Sequence, residues 1–257
     1  MENIYQRKRD ITICGVGFCP TTRVEFVREA FSMPTSPVSG TIDLIGVPGV
    51  NSAKADPKVA EMYASSSFAA IDGMPIVKIA RKKGFNCERC SGPDIMGMMF
   101  EESVRQGKTH YLYGGKDDEV LIRLRTNLER DYPGIQIVGM YSPPFRPLTD
   151  EEDEKICSEI NFLHPDFLWV GIGAPKQEMW MWNHREKIHG TVMLGVGAAF
   201  NFFAGTLDKS PEWMEEAGLE WLYRLTKEPK RLWKRYVLGG FKWLYYRAEA
   251  KVKGTDK

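Results

Sequence analysis

A chain of 257 residues with 43% hydrophobic content can bury a sizeable core, which excludes disorder as its general state and suits one large α/β domain or one domain with an appendage. Five cysteines, odd in number and irregularly spaced, give no disulfide framework, and the charged first ten residues show no secretory pattern, so a reducing cytoplasm is expected. Net charge is +1 but unevenly placed: residues 221–257 hold 11 Lys/Arg against 3 Asp/Glu, a local excess of +8 over a body at −7.

Apolar runs closing on glycine recur at 11–17, 110–115, 167–173 and 192–197, with helical stretches between some of them. This alternation predicts a Rossmann-like, mostly parallel α/β sheet with helices on both faces. Ligands in such sheets sit beyond the carboxyl ends of the strands, where the glycine turns gather. In Ala70-Ile71-Asp72-Gly73-Met74-Pro75 a carboxylate leaves an apolar run just before a glycine and a proline. Asp72 there is either a general base exposed at a sheet edge or a cap for the next helix. Cys87 and Cys90 form one C-x-x-C with no second pair and no nearby histidine, which reads as two ordinary thiols. Ser91-Gly92-Pro93-Asp94 precedes a helical run over 95–104 and offers either backbone N–H groups for an anion or a plain cap.

Leu121, Leu124 and Leu128 mark an amphipathic helix ending near Pro133-Gly134. The loop Ser142-Pro143-Pro144-Phe145-Arg146-Pro147 fixes an arginine between prolines, ready for phosphate or carboxylate, or simply at the surface. Thr149 with Glu152 forms a capping box for a helix that buries Ile156, Ile160 and Leu163.

The segment 166–184 organises the rest. Phe167 to Val170 lack helical spacing and suit a strand buried on both faces. Gly171 and Gly173 then permit a tight turn, and Pro175 fits a first helical turn, so a helix begins near Lys176 carrying Gln177, Glu178, Trp180 and Trp182. Strand, glycine turn and helix start suit a phosphate or sugar. No turn completes G-x-G-x-x-G, because Pro20, Lys176 and Phe200 stand where the third glycine belongs, so a dinucleotide site is poorly supported. Residues 190–207 are uncharged, but four glycines and Asn201 fit a strand, a turn and a buried helix better than a membrane span. With no Asp-x-Asp and no ligand spacing among the four histidines, neither a metal nor another cofactor is expected.

In the tail, Arg224, Arg231 and Arg235 are seven and four residues apart, near one face of a helix that Pro229 would kink. They suit a diphosphate, or a solvated basic face. Basic residues interleaved with Trp221, Tyr223, Trp233 and Trp243 suit an anionic membrane surface better than nucleic acid, and no nucleic-acid partner is expected. We divide the chain into a core, 1–210, and a helical appendage, 211–257.

Together, Asp72-Gly-Met-Pro75, Gly92-Pro-Asp94, Tyr113-Gly-Gly115, the 142–148 loop, Gly173-Ala-Pro-Lys-Gln-Glu178, Gly195-Val-Gly-Ala-Ala-Phe200 and the 218–236 cluster resemble the WecG/TagA/CpsF family of bacterial glycosyltransferases. The resemblance runs from about Gly46 to Tyr236. It implies an inverting, metal-independent transfer from a UDP-sugar to a polyprenyl-diphosphate-linked sugar, by a peripheral protein on the cytoplasmic membrane face. It also implies that Asp72 is the base. The substrate site it implies draws on Gly73, Pro93, Asp94, Gly114, Gly115 and Arg146, then on Gly173, Pro175, Lys176, Gln177 and Glu178. Asn51 and Asn201 join that site, and Arg224, Arg231 and Arg235 bind the diphosphate. A homo-oligomer is left open, as are two other classes: a nicotinamide-dependent oxidoreductase on the same sheet and a non-catalytic membrane scaffold.

Overall fold

The computed structural model describes residues 5–35 and 38–256; residues 1–4, part of the charged amino terminus, lie outside the described residues. Two short strands, β1 (Ile11–Ile13) and β2 (Val16–Phe18), form an antiparallel hairpin. Six longer ones build a wholly parallel sheet: β3 (Gly40–Ile45), β4 (Phe68–Ile71), β5 (Thr109–Gly114), β6 (Gln136–Tyr141), β7 (Phe167–Gly171) and β8 (Val192–Gly195). Their spatial order is β4-β3-β8-β7-β5-β6. The expected α/β architecture is therefore present.

One of the four glycine-closed runs departs from that expectation. Residues 11–17 do not join the sheet, because Cys14 and Gly15 both take positive φ (51° and 82°) and fold the run back on itself. The other three become β5, β7 and β8.

Alternating side chains explain why the sheet is covered on both faces. Leu112, Phe167, Trp169 and Leu194 point to one side, where they pack with Phe26, Met99, Leu124 and Phe200. Tyr111, Tyr113, Leu168, Val170 and Met193 point to the other, under Ile156, Ile160 and Met181. His110 is sealed in this core and accepts a hydrogen bond from Trp169 Nε1 at 2.9 Å. Burial lowers its pKa to about 3, so it is a neutral acceptor. All five cysteines are free and buried.

The helices follow their local signals. Thr149 and Glu152 form both halves of the capping box that starts helix Asp150–Leu163. Pro229 ends one helix, Glu220–Lys227, and opens the next, Pro229–Trp233, as its missing N–H requires. A π-helical turn, Lys234–Leu238, leads into the last helix, Gly239–Lys253. That helix lies on helix Val47–Ala55, burying Trp243 and Ala250, while Asn51 Nδ2 donates to the Gly239 carbonyl at 2.8 Å. No helix among the described residues is long and apolar enough to cross a membrane.

Candidate active site

Because the six strands are parallel, their carboxyl ends lie on one edge and their following turns line one cavity of about 1440 Å³. It exceeds the ~300–1,000 Å³ usual for one drug-sized ligand and has room for two substrates. The turn after β4 contributes Asp72 and Gly73, and the start of helix Gly92–Gln106 contributes Pro93. Gly115 follows β5, and Arg146 stands on the proline-rich loop after β6. Gly173, Lys176, Gln177 and Glu178 follow β7, and Asn201 follows β8. Arg224, Arg231 and Arg235 close the remaining side, brought there from three consecutive helical segments.

Asp72 does not cap the helix Met74–Lys82; the N-cap is Gly73, with no side-chain bond. The carboxylate is instead partly buried, with a third of its side chain exposed where it lines the cavity. Burial raises its pKa to about 7, Arg89 opposes that rise, and Glu220 adds to it. Arg89 Nε donates to Asp72 Oδ1 at 3.3 Å, and Arg89 Nη2 pairs with Glu220, which Arg224 Nη1 approaches to 3.9 Å. A carboxyl poised near neutrality beside a chain of opposite charges has the properties of a general base.

Four expected residues do not line the cavity. Asn51 is committed to the last helix through Gly239. Asp94 accepts from Ser91 Oγ at 2.6 Å and faces Arg23 at 3.7 Å, in a neighbouring recess. Gly114 serves the packing of β5 on β7: a Cβ there would lie 2.7 Å from the Gly171 backbone. Pro175 sits at the N-cap of helix Lys176–His184, one position before the first helical residue. Arg146 is at the cavity mouth with both terminal nitrogens held by Glu152 at 2.7 Å.

Sequence reasoning missed Arg89, Glu220 and Asp43. Arg89 lies inside the C-x-x-C stretch, and what brings it to Asp72 is a backbone bond, Cys90 N–H to the Ile71 carbonyl at 2.8 Å. Asp43 interrupts an otherwise apolar strand and is 2% exposed. Tyr113 stacks on Trp180 at 4.2 Å, and Trp180 on His184 at 4.1 Å, giving the cavity an aromatic wall.

Asp153, Cys157 and His184 bring possible metal-ligand atoms within 4.8 Å. Both imidazole nitrogens are engaged, Nδ1 with the Trp180 carbonyl at 2.6 Å and Nε2 with Asp153 at 2.7 Å. Lys187 holds the other Asp153 oxygen at 2.7 Å. Asp153 and His184 thus clamp helix Asp150–Leu163 to helix Lys176–His184.

The chain matches the Glycosyl transferase WecG/TagA/CpsF family over residues 11–257. It is similar to the N-acetylglucosaminyldiphosphoundecaprenol N-acetyl-beta-D-mannosaminyltransferase of Staphylococcus aureus (strain MW2), 26% identical over 246 residues that cover 95% of this chain and 94% of the relative. It is the match over nearly the whole length that decides against the oxidoreductase and scaffold alternatives: the protein belongs to the WecG/TagA/CpsF family and is a glycosyltransferase.

Proposed function

We propose that the protein transfers an N-acetylmannosaminyl group, with inversion, from a UDP-sugar to N-acetylglucosamine carried on a polyprenyl diphosphate. The observation that carries this reading is that Asp72 and the three arginines Arg224, Arg231 and Arg235 line one cavity. The acceptor hydroxyl attacks the anomeric carbon and gives its proton to Asp72 as the bond to UDP breaks. The arginines take up the charge developing on departing UDP, a role filled by a divalent metal in other sugar-nucleotide sites, so the reaction is metal-independent. Acceptor and donor sugars are taken from the name of the staphylococcal relative.

The lipid-linked acceptor calls for contact with a membrane, and the surface beyond Pro211 fits one. Trp213, Trp221, Trp233, Phe241 and Leu244 are exposed among exposed Lys230, Lys234 and Lys242. Trp221, Phe241 and Leu244 also line the cavity, so the lipid-facing surface and the catalytic mouth are continuous.

The test is transfer of radiolabel from a panel of UDP-sugars to a short-chain polyprenyl-diphosphate acceptor, with and without EDTA. Incorporation is expected with UDP-N-acetylmannosamine and should survive EDTA. No transfer from any UDP-sugar would overturn the reading, and a strict requirement for Mg²⁺ or Mn²⁺ would overturn its metal-independent part.

A further inference from the structure

Gln177 is 4% exposed, and its amide is largely consumed inside the protein. Its Oε1 accepts the backbone N–H of Gly197 at 2.9 Å and that of Gly173 at 3.2 Å. These glycines belong to the turns after β8 and β7, two adjacent strands, so one side-chain oxygen ties together two segments of the cavity wall. Room for it comes from Gly195, where a Cβ would lie 2.9 Å from Gln177 Nε2 and 3.2 Å from its Cγ.

An amide can rotate to exchange its oxygen for its NH₂ group, and the two orientations differ in what each end offers. Two glycine N–H groups require the oxygen. What fixes the opposite end is Glu178, 3% exposed, whose Oε1 receives Gln177 Nε2 at 3.0 Å. We propose that Glu178 is a positioning residue for glycosyl transfer: it holds the Gln177 amide in the one orientation that ties Gly173 to Gly197, and so sets the spacing of the two turns on which the donor rests. Without an acceptor at 178, the buried NH₂ of Gln177 has no partner. Both glycine bonds then lose their anchor. A glutamine at 178 keeps a carbonyl oxygen that can accept Nε2 and therefore restores part of the arrangement.

The kinetic arm of the test rests on the glycosyltransferase reading above, whereas the structural arm does not. Amide hydrogen exchange is measured at Gly173 and Gly197 in the ligand-free full chain, with the Gly115 N–H, bonded to the Gly171 carbonyl at 3.3 Å, as an internal control. Glu178→Ala is expected to speed exchange at both glycines by about tenfold, the equilibrium equivalent of one hydrogen bond, and to leave Gly115 unchanged. Glu178→Gln should recover most of the protection. Should the alanine variant fold poorly, Glu178→Met fills the space without an acceptor and is expected to behave as alanine does here. In transfer assays the alanine or methionine variant should raise donor KM more than it lowers kcat, with partial rescue by glutamine. Unchanged exchange in a folded Glu178→Ala or Glu178→Met protein, an effect at only one glycine, or no rescue by glutamine would overturn the proposal. If exchange responds as expected but no UDP-sugar is a donor, the tie stands and the glycosyl-transfer scheme falls.

Discussion

Asp72 and Arg89 meet at the edge of the cavity, Arg89 Nε donating to Asp72 Oδ1 at 3.3 Å, although the helix Met74–Lys82 separates them in the chain. Burial pushes this carboxyl up, the Arg89 contact restrains it and Glu220 on the same guanidinium pushes it further, with the net result at about 7. In the proposed reaction the ionised form is the base. Activity should therefore rise as pH increases through about 7. Arg89→Gln removes the lowering influence and should move the acidic limb of kcat/KM to higher pH, whereas Glu220→Gln should move it lower. The acidic limb shifting the same way in both variants, or in neither, would sink the assignment.

Asp72→Asn should fold normally and lose about 10²–10⁴ in kcat with both substrates saturating, the usual cost of a missing general base. Near wild-type turnover would remove Asp72 from the chemistry.

Gly114 was expected to touch substrate, but its φ of +140° and its approach to the Gly171 backbone give it a packing role. Gly114→Ala should lower stability by about 1–3 kcal/mol in denaturant unfolding. A mutant of wild-type stability that binds UDP more weakly would restore the substrate role.

Asp43 and Glu178 are both buried acids with raised pKa, Glu178 at about 7. Burial is the main cause for each, and Glu178 raises Asp43 further. Arg9 acts on Asp43, Arg235 acts on Glu178, and the nearby Tyr63 phenol is itself raised by burial and by both carboxylates. The folded state holds these protons more tightly than the unfolded chain. The contribution of Glu178 should thus weaken stability as pH climbs from the ordinary carboxylate range to about 7, and that of Asp43 should weaken it as pH climbs out of that range toward its own raised value. Asp43→Asn should flatten that decline in unfolding midpoints measured from pH 5 to 8; an unchanged slope would contradict the reading.

Membrane docking should follow charge. Each Lys or Arg near an anionic surface is worth about 1 kcal/mol, so Lys230→Glu, Lys234→Glu and Lys242→Glu combined should abolish sedimentation with phosphatidylserine vesicles and leave neutral-vesicle binding unaffected. Added salt should weaken wild-type binding. Deleting 211–257 is a poorer test, because it would uncover the surface that Trp243, Ala250 and Leu232 bury. Vesicle binding unchanged by the triple charge reversal would place the docking surface elsewhere.

What was legible in the sequence was what depends on near neighbours in the chain. The glycine-closed runs at β5, β7 and β8, the Thr149 capping box and the helix start at Lys176 all declare themselves within a few residues. β3 escaped notice because Asp43 breaks its apolar pattern. The 11–17 run misled because a positive φ at Cys14, a residue without glycine's freedom, decides that it is a hairpin. Within the site, Asp72 and the tail arginines were read from local motifs, whereas Arg89 and Glu220 were not, since their meeting depends on helix 220–227 returning to the edge of β4. Gln177 was found for its polarity, but its tie between two turns depends on the pairing of β7 with β8.

The strand order also bears on how the chain is made. β3 and β4 form one pair and β5 and β6 another, and both are complete by Tyr141, yet they are joined only by β7 and β8, which enter between them. A nascent chain leaving the ribosome therefore carries two half-sheets whose inner edges stay open until Gly195 has emerged. Because β3 finds its second partner about 150 residues downstream, at Val192, closure of the sheet is a late event of high contact order. The last strand of the sheet to be synthesised is one of its two central ones, so the cavity at the carboxyl edge cannot be complete before that strand has emerged.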